Sequence, residues 1–352
     1  MTPDPLRATS RRGLCLAIAG AVVLLGQSIR AADADQRIRP YEKNPRYWQY
    51  QGEPVLLLGG SREDNLFNHP EGLAEHLDSL AACGGNYIRN TMSSRNPGNP
   101  WAFRKLDSGL YDLNQWNDEY WNRLETLLRL CRERAIIVQI EVWDPWDYFK
   151  TEAPLGYGPN NVGWESCPFN PALNVNYTAA ESGLAEQIDN VKIYGGEIGR
   201  WTTSVEEGTQ RFWRNVFGGC ASSRFHRPGP SHHYFAIGLS ELAQAHIRSM
   251  RMLTGRIDAF TCEPRNELLA ERVSNEAYCL AQPGKEYAVY FPAGGEVVLD
   301  ASAARGRLEL RWLDILQSTW RPPQQVHADA QGRIRLKPPG EGPWAAWLAV
   351  RL

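Results

Sequence analysis

Short apolar runs alternate, over the first two thirds of the chain, with segments whose apolar residues recur every three or four positions. Such runs are typical of buried parallel strands, and such recurrence is typical of amphipathic helices. The runs predict five strands, at Val55–Gly60, Asn86–Ser93, Ile136–Ile140, Val191–Tyr194 and Ser222–Phe225. The recurrence predicts four helices whose apolar stripes include Leu73, Tyr120, Phe212 and Leu239, and Ser204 with Glu207 forms a capping box at the start of the third helix. Strands alternating with helices indicate a parallel sheet, but five βα units fall short of the eight that close a barrel.

The apolar period changes to two residues from Phe260 onward, which is typical of antiparallel strands with one buried face. Six such strands are predicted between Glu276 and Val350, with turn-rich pieces such as 292–295 between them. We therefore predict an α/β fold class: an incomplete TIM-like (β/α) barrel over residues 35–259, followed by a small all-β sandwich over residues 260–352.

The first 34 residues carry the pattern of a secretory signal peptide. Arg11 and Arg12 precede an apolar run from Leu14 to Gly26, and small residues surround Ala34. A basic start, a short apolar run and a small-residue cleavage site mark such a signal. The arginine pair fits the bacterial twin-arginine route as well as an ordinary signal with a chance pair. We expect export to the periplasm or the extracellular space.

The composition excludes several functional classes. The 38 Lys and Arg against 40 Asp and Glu leave a net charge of −2 without long runs of like charge, so a nucleic-acid partner is not expected. No segment after residue 34 approaches the 18 apolar residues that a membrane span needs. Nucleotide-binding glycine loops, serine-hydrolase elbows and HExxH zinc motifs are absent from the sequence. We therefore predict neither a cofactor nor a bound metal.

One continuous run resembles a known family. Residues Phe212–Pro228 read FWRNVFGGCASSRFHRP and resemble secreted bacterial proteins of the large glycoside hydrolase clan of (β/α)8 barrels, which carry a C-terminal domain of the type named collagen-binding. Segments 86–90, 137–144, 174–184, 191–201 and 278–299 match as well. The resemblance implies a polysaccharide or oligosaccharide substrate cleaved at its O-glycosidic bonds. It also implies a glycan or extracellular-matrix ligand for the C-terminal domain.

The chain departs from that family in one segment. Family members continue through further strands and helices after the stretch that matches 176–184, whereas only 185–190 intervene here before the strand at 191–194. The resemblance therefore implies an internal deletion, and the clan's acid/base glutamate follows the fourth strand, within the lost segment. Two alternatives to an active glycosidase stay open: a non-catalytic carbohydrate- or matrix-binding protein, and a chain that lost a segment and folds poorly.

Three carboxylates are candidates for catalysis, because retaining glycosidases use two carboxylates about 5 Å apart. Glu197 follows the Val191 strand and a Gly-Gly pair, at the position that the clan uses for its nucleophile. The alternative role for Glu197 is that of a loop or helix-capping residue. Glu141 and Asp144 lie at the exit of the third predicted strand and are candidates for the second carboxylate. Alternatively, one of the two orders arginine side chains through ion pairs.

Polar and aromatic residues near the strand exits are candidates for substrate binding. Arg89 resembles the clan's arginine that orients the nucleophile, with a salt-bridge role as the alternative. Tryptophan rings suit the C–H faces of sugars, although loop tryptophans also plug barrel mouths. Arg224 and His226 suit sugar hydroxyls or a buried structural pair. The predicted substrate-binding residues are Arg89, Asn90, Trp143, Trp146, Trp201, Arg224 and His226.

Overall fold

The computed structural model describes residues 37–142, 147, 163–178, 204–228 and 236–351. The helices are α1 Leu73–Ala82, α2 Asp118–Glu133, α3 Gly163–Ser166, α4 Val205–Phe217 and α5 Glu241–Thr254, with 3-10 turns at Leu66–Asn68, Pro171–Leu173 and Asn266–Leu268. The first nine strands are β1 Arg39–Pro40, β2 Trp48–Tyr50, β3 Glu53–Val55, β4 Leu57–Gly60, β5 Tyr87–Thr91, β6 Phe103–Lys105, β7 Tyr111–Trp116, β8 Ile137–Glu141 and β9 Ser222–Phe225. The remaining strands are β10 Glu263–Pro264, β11 Leu269–Ala270, β12 Tyr278–Gln282, β13 Glu286–Phe291, β14 Val297–Asp300, β15 Arg307–Asp314, β16 Thr319–Trp320, β17 Gln324–Val326, β18 Arg333–Leu336 and β19 Trp344–Arg351.

The chain divides into two compact units, Met1–Leu56 and Leu57–Leu352. In the first unit, β1, β2 and β3 form a small antiparallel sheet that the hydrophobic pattern did not predict. Val55 belongs to this sheet, so the first parallel strand is shorter than expected and begins at Leu57. The predicted signal peptide, residues 1–34, lies outside the described residues. Within the described helices, none is long and apolar enough to cross a membrane.

Four strands of the second unit form a parallel sheet in the order β8-β5-β4-β9. These strands confirm four of the five predicted ones, while the fifth, Val191–Tyr194, lies outside the described residues. Among the described strands, β8 and β9 each have a single neighbour, so the sheet is open at both edges and does not close into a barrel. The α/β character is therefore confirmed, and the number of βα units in the whole chain stays a prediction.

Helix α4 covers one face of the parallel sheet. Its N-cap is Ser204, whose side chain accepts a hydrogen bond from the Glu207 amide at 3.0 Å, which stabilises the first turn. Its apolar stripe is buried, and Phe212 stacks on Phe225 of β9 with ring centroids 4.5 Å apart. The amphipathic pattern thus places β9 against α4, and strand alternation turns the neighbouring Arg224 to the opposite face.

The C-terminal strands form two antiparallel sheets around a shared apolar core. One sheet has the order β10-β12-β13-β19-β15-β16, with β17 also paired to β15, and the other has the order β11-β14-β18. Side chains of both sheets meet in one buried cluster, which includes Tyr287, Val289 and Phe291 of β13 and Val297 and Leu299 of β14. All six predicted strands of this segment are present, and a separate domain over residues 260–352 stays a prediction.

Strand β13 is buried on both faces. The side chains of Tyr287, Val289 and Phe291 lie in the core between the two sheets, whereas Tyr290 stacks on Trp213 of α4 with ring centroids 5.0 Å apart. On the same side, the Ser249 hydroxyl of α5 donates to the Ile315 carbonyl at 2.6 Å. The large antiparallel sheet is therefore covered by helices of the parallel layer as well as by its partner sheet.

The buried His246, which lies beside Trp213, makes the folding free energy of the protein sensitive to acid. The Trp213 indole N–H donates to Nδ1 of His246 at 2.9 Å, and only 1% of His246 is exposed. Burial lowers the pKa of His246 from 6.5 to about 4. Since the folded pKa lies below the unfolded one, the unfolded chain takes up a proton first as pH falls. His246 therefore removes up to about 3 kcal/mol of folding free energy between pH 6.5 and 4.

The substitution His246→Gln tests this pH effect. Glutamine does not titrate, so we expect the variant to lose less folding free energy than the wild type between pH 7 and pH 4, by up to about 3 kcal/mol. The measurement is urea unfolding at both pH values. His327 is exposed, and His327→Gln is the matched control that should follow the wild type. Equal losses in His246→Gln and the wild type would contradict the prediction.

Candidate functional site

The polar face of the parallel sheet carries the candidate site. Alternation along β5 buries Ile88 and Asn90 on one side and turns Tyr87 and Arg89 to the other. On β8, Gln139 and Glu141 face the same side as these two residues, because the Tyr87 hydroxyl donates to Gln139 and Arg89 donates to Glu141. Glu141 is the last residue of β8 and pairs with Thr91, the last residue of β5, so Glu141 lies at the carboxyl end of these strands, where βα folds place their chemistry.

Arg89 and Glu141 form a two-point ion pair. The guanidinium Nε donates to one carboxylate oxygen of Glu141 and Nη2 donates to the other. This fork geometry fixes both side chains more firmly than a single contact does. The ion-pair alternative for Glu141 thus corresponds to a contact in the structure. A catalytic role for Glu141 stays a prediction.

Asp64 binds several cations from three neighbouring segments. It follows β4, and its carboxylate lies 3.3 Å from Nη1 of Arg89, 3.6 Å from Nη2 of Arg95 and 2.9 Å from Nε of Arg227. The Asp64 carbonyl also accepts from the Thr91 amide at 2.7 Å, which holds the loop after β4 against the end of β5. Asp64 is therefore the common counterion of arginines that follow different strands.

The pKa of Asp64 reflects these contacts. Burial by itself raises the pKa of Asp64. In the acid range in which Asp64 titrates, the positive charges of His226, Arg227, Arg89 and Arg95 outweigh burial and hold the pKa well below its usual range. Burial lowers the pKa of His226 despite the nearby Asp64 carboxylate, so His226 is uncharged at neutral pH. At neutral pH the three arginines therefore keep the Asp64 carboxylate ionised.

Arg224 and His226 end the polar face on the β9 side. His226 Nε2 lies 3.7 Å from Asp64, and Nδ1 lies 3.1 Å from the Arg227 carbonyl oxygen. Arg224 is half-buried, and in the part of the chain that the structure describes its guanidinium has neither a hydrogen-bond acceptor nor an ion-pair partner. Burial and the charge of Arg89 lower the pKa of Arg224. Within the described residues, the donors of this guanidinium therefore have no acceptor.

The other predicted residues have different placements. Asn90 is fully buried on the helix side of β5, where its side-chain oxygen accepts from the Phe67 amide at 3.1 Å. This contact stabilises the turn after β4, so we leave Asn90 out of the proposed site. The candidates Glu197, Asp144, Trp143, Trp146 and Trp201 lie outside the described residues.

Sequence reasoning missed Asp64, Arg95 and Arg227. The signal for Asp64 was present, because Ser61-Arg62-Glu63-Asp64 directly follows the first parallel strand, as Glu141 ends the third. The arginines gave no comparable signal, since their partner is distant in sequence: Asp64 and Arg227 are 163 positions apart. Over the described residues, no group of three histidine, cysteine, aspartate or glutamate side chains is close enough to hold a metal ion.

Comparison with solved structures reveals the same architecture in known enzymes. One similar structure is described as a glycoside hydrolase, with a TM-score of 0.58, 12% identity, and coverage of 91% of this chain and 98% of the other. Another is a glycoside hydrolase family 5 protein from Bacteroides vulgatus, with a TM-score of 0.58, 13% identity, and coverage of 91% and 94%. The chain has a glycoside hydrolase-like fold. It matches no protein-family model, and no curated protein matches it significantly in sequence.

Two described carboxylates of the polar face, Asp64 and Glu141, are bound to arginines. A carboxylate in such a pair is suited to orienting the cations that contact it. The described part of the site is thus a fixed ionic frame next to the unpartnered Arg224.

Proposed function

We propose that the chain is an exported, glycoside hydrolase-like protein that binds a saccharide chain at this polar face and acts on its O-glycosidic bonds. The observation that carries the proposal is the half-buried Arg224 guanidinium, which is without a described partner beside the Asp64–Arg89–Glu141 frame. Sugar hydroxyls and ring oxygens are acceptors that such a guanidinium can bind. Export rests on the sequence pattern of residues 1–34.

Each residue of the proposed site has a separate task. Arg224 and uncharged His226 bind substrate oxygens, and the Arg89–Glu141 pair together with Asp64 keeps the neighbouring side chains in place. Glu197 is the proposed nucleophile and Asp144 the proposed second carboxylate, on the sequence argument alone. In a retaining mechanism the nucleophile attacks the anomeric carbon while the acid protonates the leaving oxygen. Trp143, Trp146 and Trp201 would supply stacking surfaces to the sugar rings.

The second candidate function is binding of carbohydrate or extracellular matrix without hydrolysis. The observation that favours it is the engagement of Asp64 and Glu141 by arginines, which gives these two carboxylates of the polar face a structural role. The short connection at 185–190 also removes the segment in which the resembling clan has its acid/base residue. The C-terminal sheets would then contribute a further glycan or matrix ligand site.

The experiment measures hydrolysis and binding side by side. The purified protein is assayed on a panel of aryl glycosides and soluble polysaccharides, and affinity is measured by calorimetry. Hydrolysis supports the first proposal. Binding without hydrolysis supports the second, and the absence of both refutes each of them.

Arg224→Leu tests the placement of the site. Because Arg224 makes no described internal contact, the variant should keep its melting temperature within a few degrees while its Kd or KM rises about 10- to 100-fold, the effect of losing a hydrogen bond to a charged group. Arg129 of α2 is exposed and paired only with Glu133 one turn away, so Arg129→Leu is the control that should bind as the wild type does. Unchanged affinity in Arg224→Leu would place the ligand elsewhere.

A further inference from the structure

An exposed tryptophan lies on a hairpin that follows the polar face. Strands β6 and β7 lie in the connection from β5 to α2, and Trp116 of β7 pairs with Phe103 of β6. Their rings stack with centroids 5.3 Å apart and an angle of 19° between the planes. Nevertheless, 62% of Trp116 is exposed. Because Phe103 covers one face of the indole, the exposed surface includes the other face.

Neighbouring residues fix the orientation of this indole. The ring planes of Trp121 and Trp116 are nearly perpendicular, at 84°, with centroids 5.1 Å apart, and the Trp121 N–H donates to the Ala102 carbonyl at 3.2 Å. The adjacent Tyr120 packs against Trp121 and donates to the Met92 carbonyl at 2.8 Å. The open face of Trp116 is therefore held in one position before any ligand arrives, which reduces the entropy lost on binding.

A second set of contacts connects Trp116 to the candidate site. The Met92 amide donates to the Glu141 carbonyl at 2.9 Å, so the residue that anchors Tyr120 is itself bonded to the end of β8. The hairpin follows the carboxyl end of β5, the end at which Arg89 and Glu141 lie. The hairpin that carries Trp116 therefore follows the carboxyl end of the sheet, where Glu141 ends β8.

Polar side chains on the hairpin select the class of ligand. Arg104 donates to Gln115 at 3.1 Å, Gln115 donates to Asp112 at 2.7 Å, and Asn176 donates to Asp112 at 3.2 Å, all of them exposed. The core of a protein–protein interface is apolar and depleted of charged residues, whereas this part of the hairpin is polar and charged. A pyranose ring has a flat C–H face for the indole and hydroxyl edges for amide, carboxylate and guanidinium groups.

We propose that the open face of Trp116 is a stacking subsite for a pyranose unit of a polysaccharide, separate from the Arg224 position and on the same hairpin as the polar side chains of Arg104, Gln115 and Asp112. This inference rests on the proposed carbohydrate-binding function and extends it. The subsite holds a remote unit of the chain whose other units approach the polar face. It requires neither a carboxylate nor a bond-breaking step, so it serves hydrolysis and simple binding equally.

The test is affinity gel electrophoresis in gels cast with arabinoxylan or hydroxyethylcellulose. We expect at least one polysaccharide to retard the wild type, Trp116→Ala to bind it about 10-fold more weakly, and Trp116→Phe to keep most of the retardation because it keeps a flat ring. Trp48 is another exposed tryptophan, in the β1–β3 sheet, and Trp48→Ala is the matched control that should be retarded as the wild type is. No retardation of the wild type by either probe, or equal retardation of Trp116→Ala and the wild type, would overturn the inference.

Two further measurements separate the subsite from the proposed function and from a folding defect. The wild type could hydrolyse the same polysaccharides while Trp116→Ala is retarded as strongly as the wild type. That result would refute the subsite and leave the glycosidase proposal intact. Retardation that depends on Trp116 without any hydrolysis would support the subsite and refute the hydrolytic proposal. In the wild type, saturating polysaccharide should reduce acrylamide quenching of tryptophan fluorescence, and unchanged quenching would count against the subsite even if Trp116→Ala does not fold.

Discussion

Glu197→Gln is expected to reduce hydrolysis by at least about 10⁴-fold, the effect typical of removing a catalytic nucleophile. The amide cannot attack the anomeric carbon, and it is close to the carboxylate in size, so the fold should persist. The measurement is initial rate on the best substrate of the panel, together with thermal melting. This expectation rests on the position of Glu197 after a predicted strand and a Gly-Gly pair.

Glu141→Gln is the informative companion to this variant. Since both oxygens of Glu141 are bound by Arg89, the amide breaks an ion pair and should lower the melting temperature while affecting hydrolysis less than Glu197→Gln does. If Glu141→Gln lost all hydrolysis while Glu197→Gln stayed active, the nucleophile would be Glu141 of β8 and not Glu197. A wild type without hydrolysis would contradict the prediction altogether.

Asp64→Asn is expected to lower the free energy of unfolding by about 3 to 5 kcal/mol, because it leaves partly buried arginines without their shared counterion. Urea unfolding at pH 7 measures this change. Asp78 offers the matched control: its carboxylate also pairs with an arginine, Arg134, at 2.7 Å, but its side chain is 63% exposed. Asp78→Asn should therefore have little effect. Equal losses in the two variants would show that Asp64 is not the centre of a buried ionic cluster.

The pH dependence of the Asp64 effect has a defined sign. The folded pKa of Asp64 is depressed, so its contribution is fully present above the ordinary pKa near 3.8 and disappears as pH falls through the lower folded value. The gap between wild type and Asp64→Asn should thus narrow only below pH 3.8. Above that value it does not narrow as pH falls, because the Asp64 carboxylate also raises the pKa of the neighbouring His226. The His246 effect is common to both proteins and cancels in this comparison. A gap that closes between pH 6 and 5 would contradict this assignment.

The pattern of apolar residues was sufficient to predict the boundaries of elements whose apolar residues all face one core. Strand β9 begins and ends at the predicted residues, and the predicted cap at Ser204 is confirmed. The β6–β7 hairpin was missed because polar residues such as Asp112 and Asn114 interrupt its alternation. Its support comes from distant residues: Asn176 accepts from the Leu113 amide at 2.7 Å, 63 positions along the chain.

The site was predictable in kind but not in its contacts. Polar residues at the ends of predicted strands are candidates for a site, which is why Arg89, Glu141, Arg224 and His226 were predicted. Which cation pairs with which carboxylate depends on strand order, and β9 pairs with β4 although the two lie far apart in the chain. The partnership of Asp64 with Arg227 follows from that order, so it could not be read from spacing.

The double burial of β13 bears on how this protein could change through evolution. Domains of one chain commonly meet through interfaces that are small and more polar than a core. Here Tyr290 is fully buried beneath Trp213, and the sheet that carries it has no free outer face in this region. Removing the C-terminal strands would expose Trp213 and Phe217 to water. The C-terminal sheets are therefore not a portable module, and an exchange for another module would require new residues on α4 at the same time.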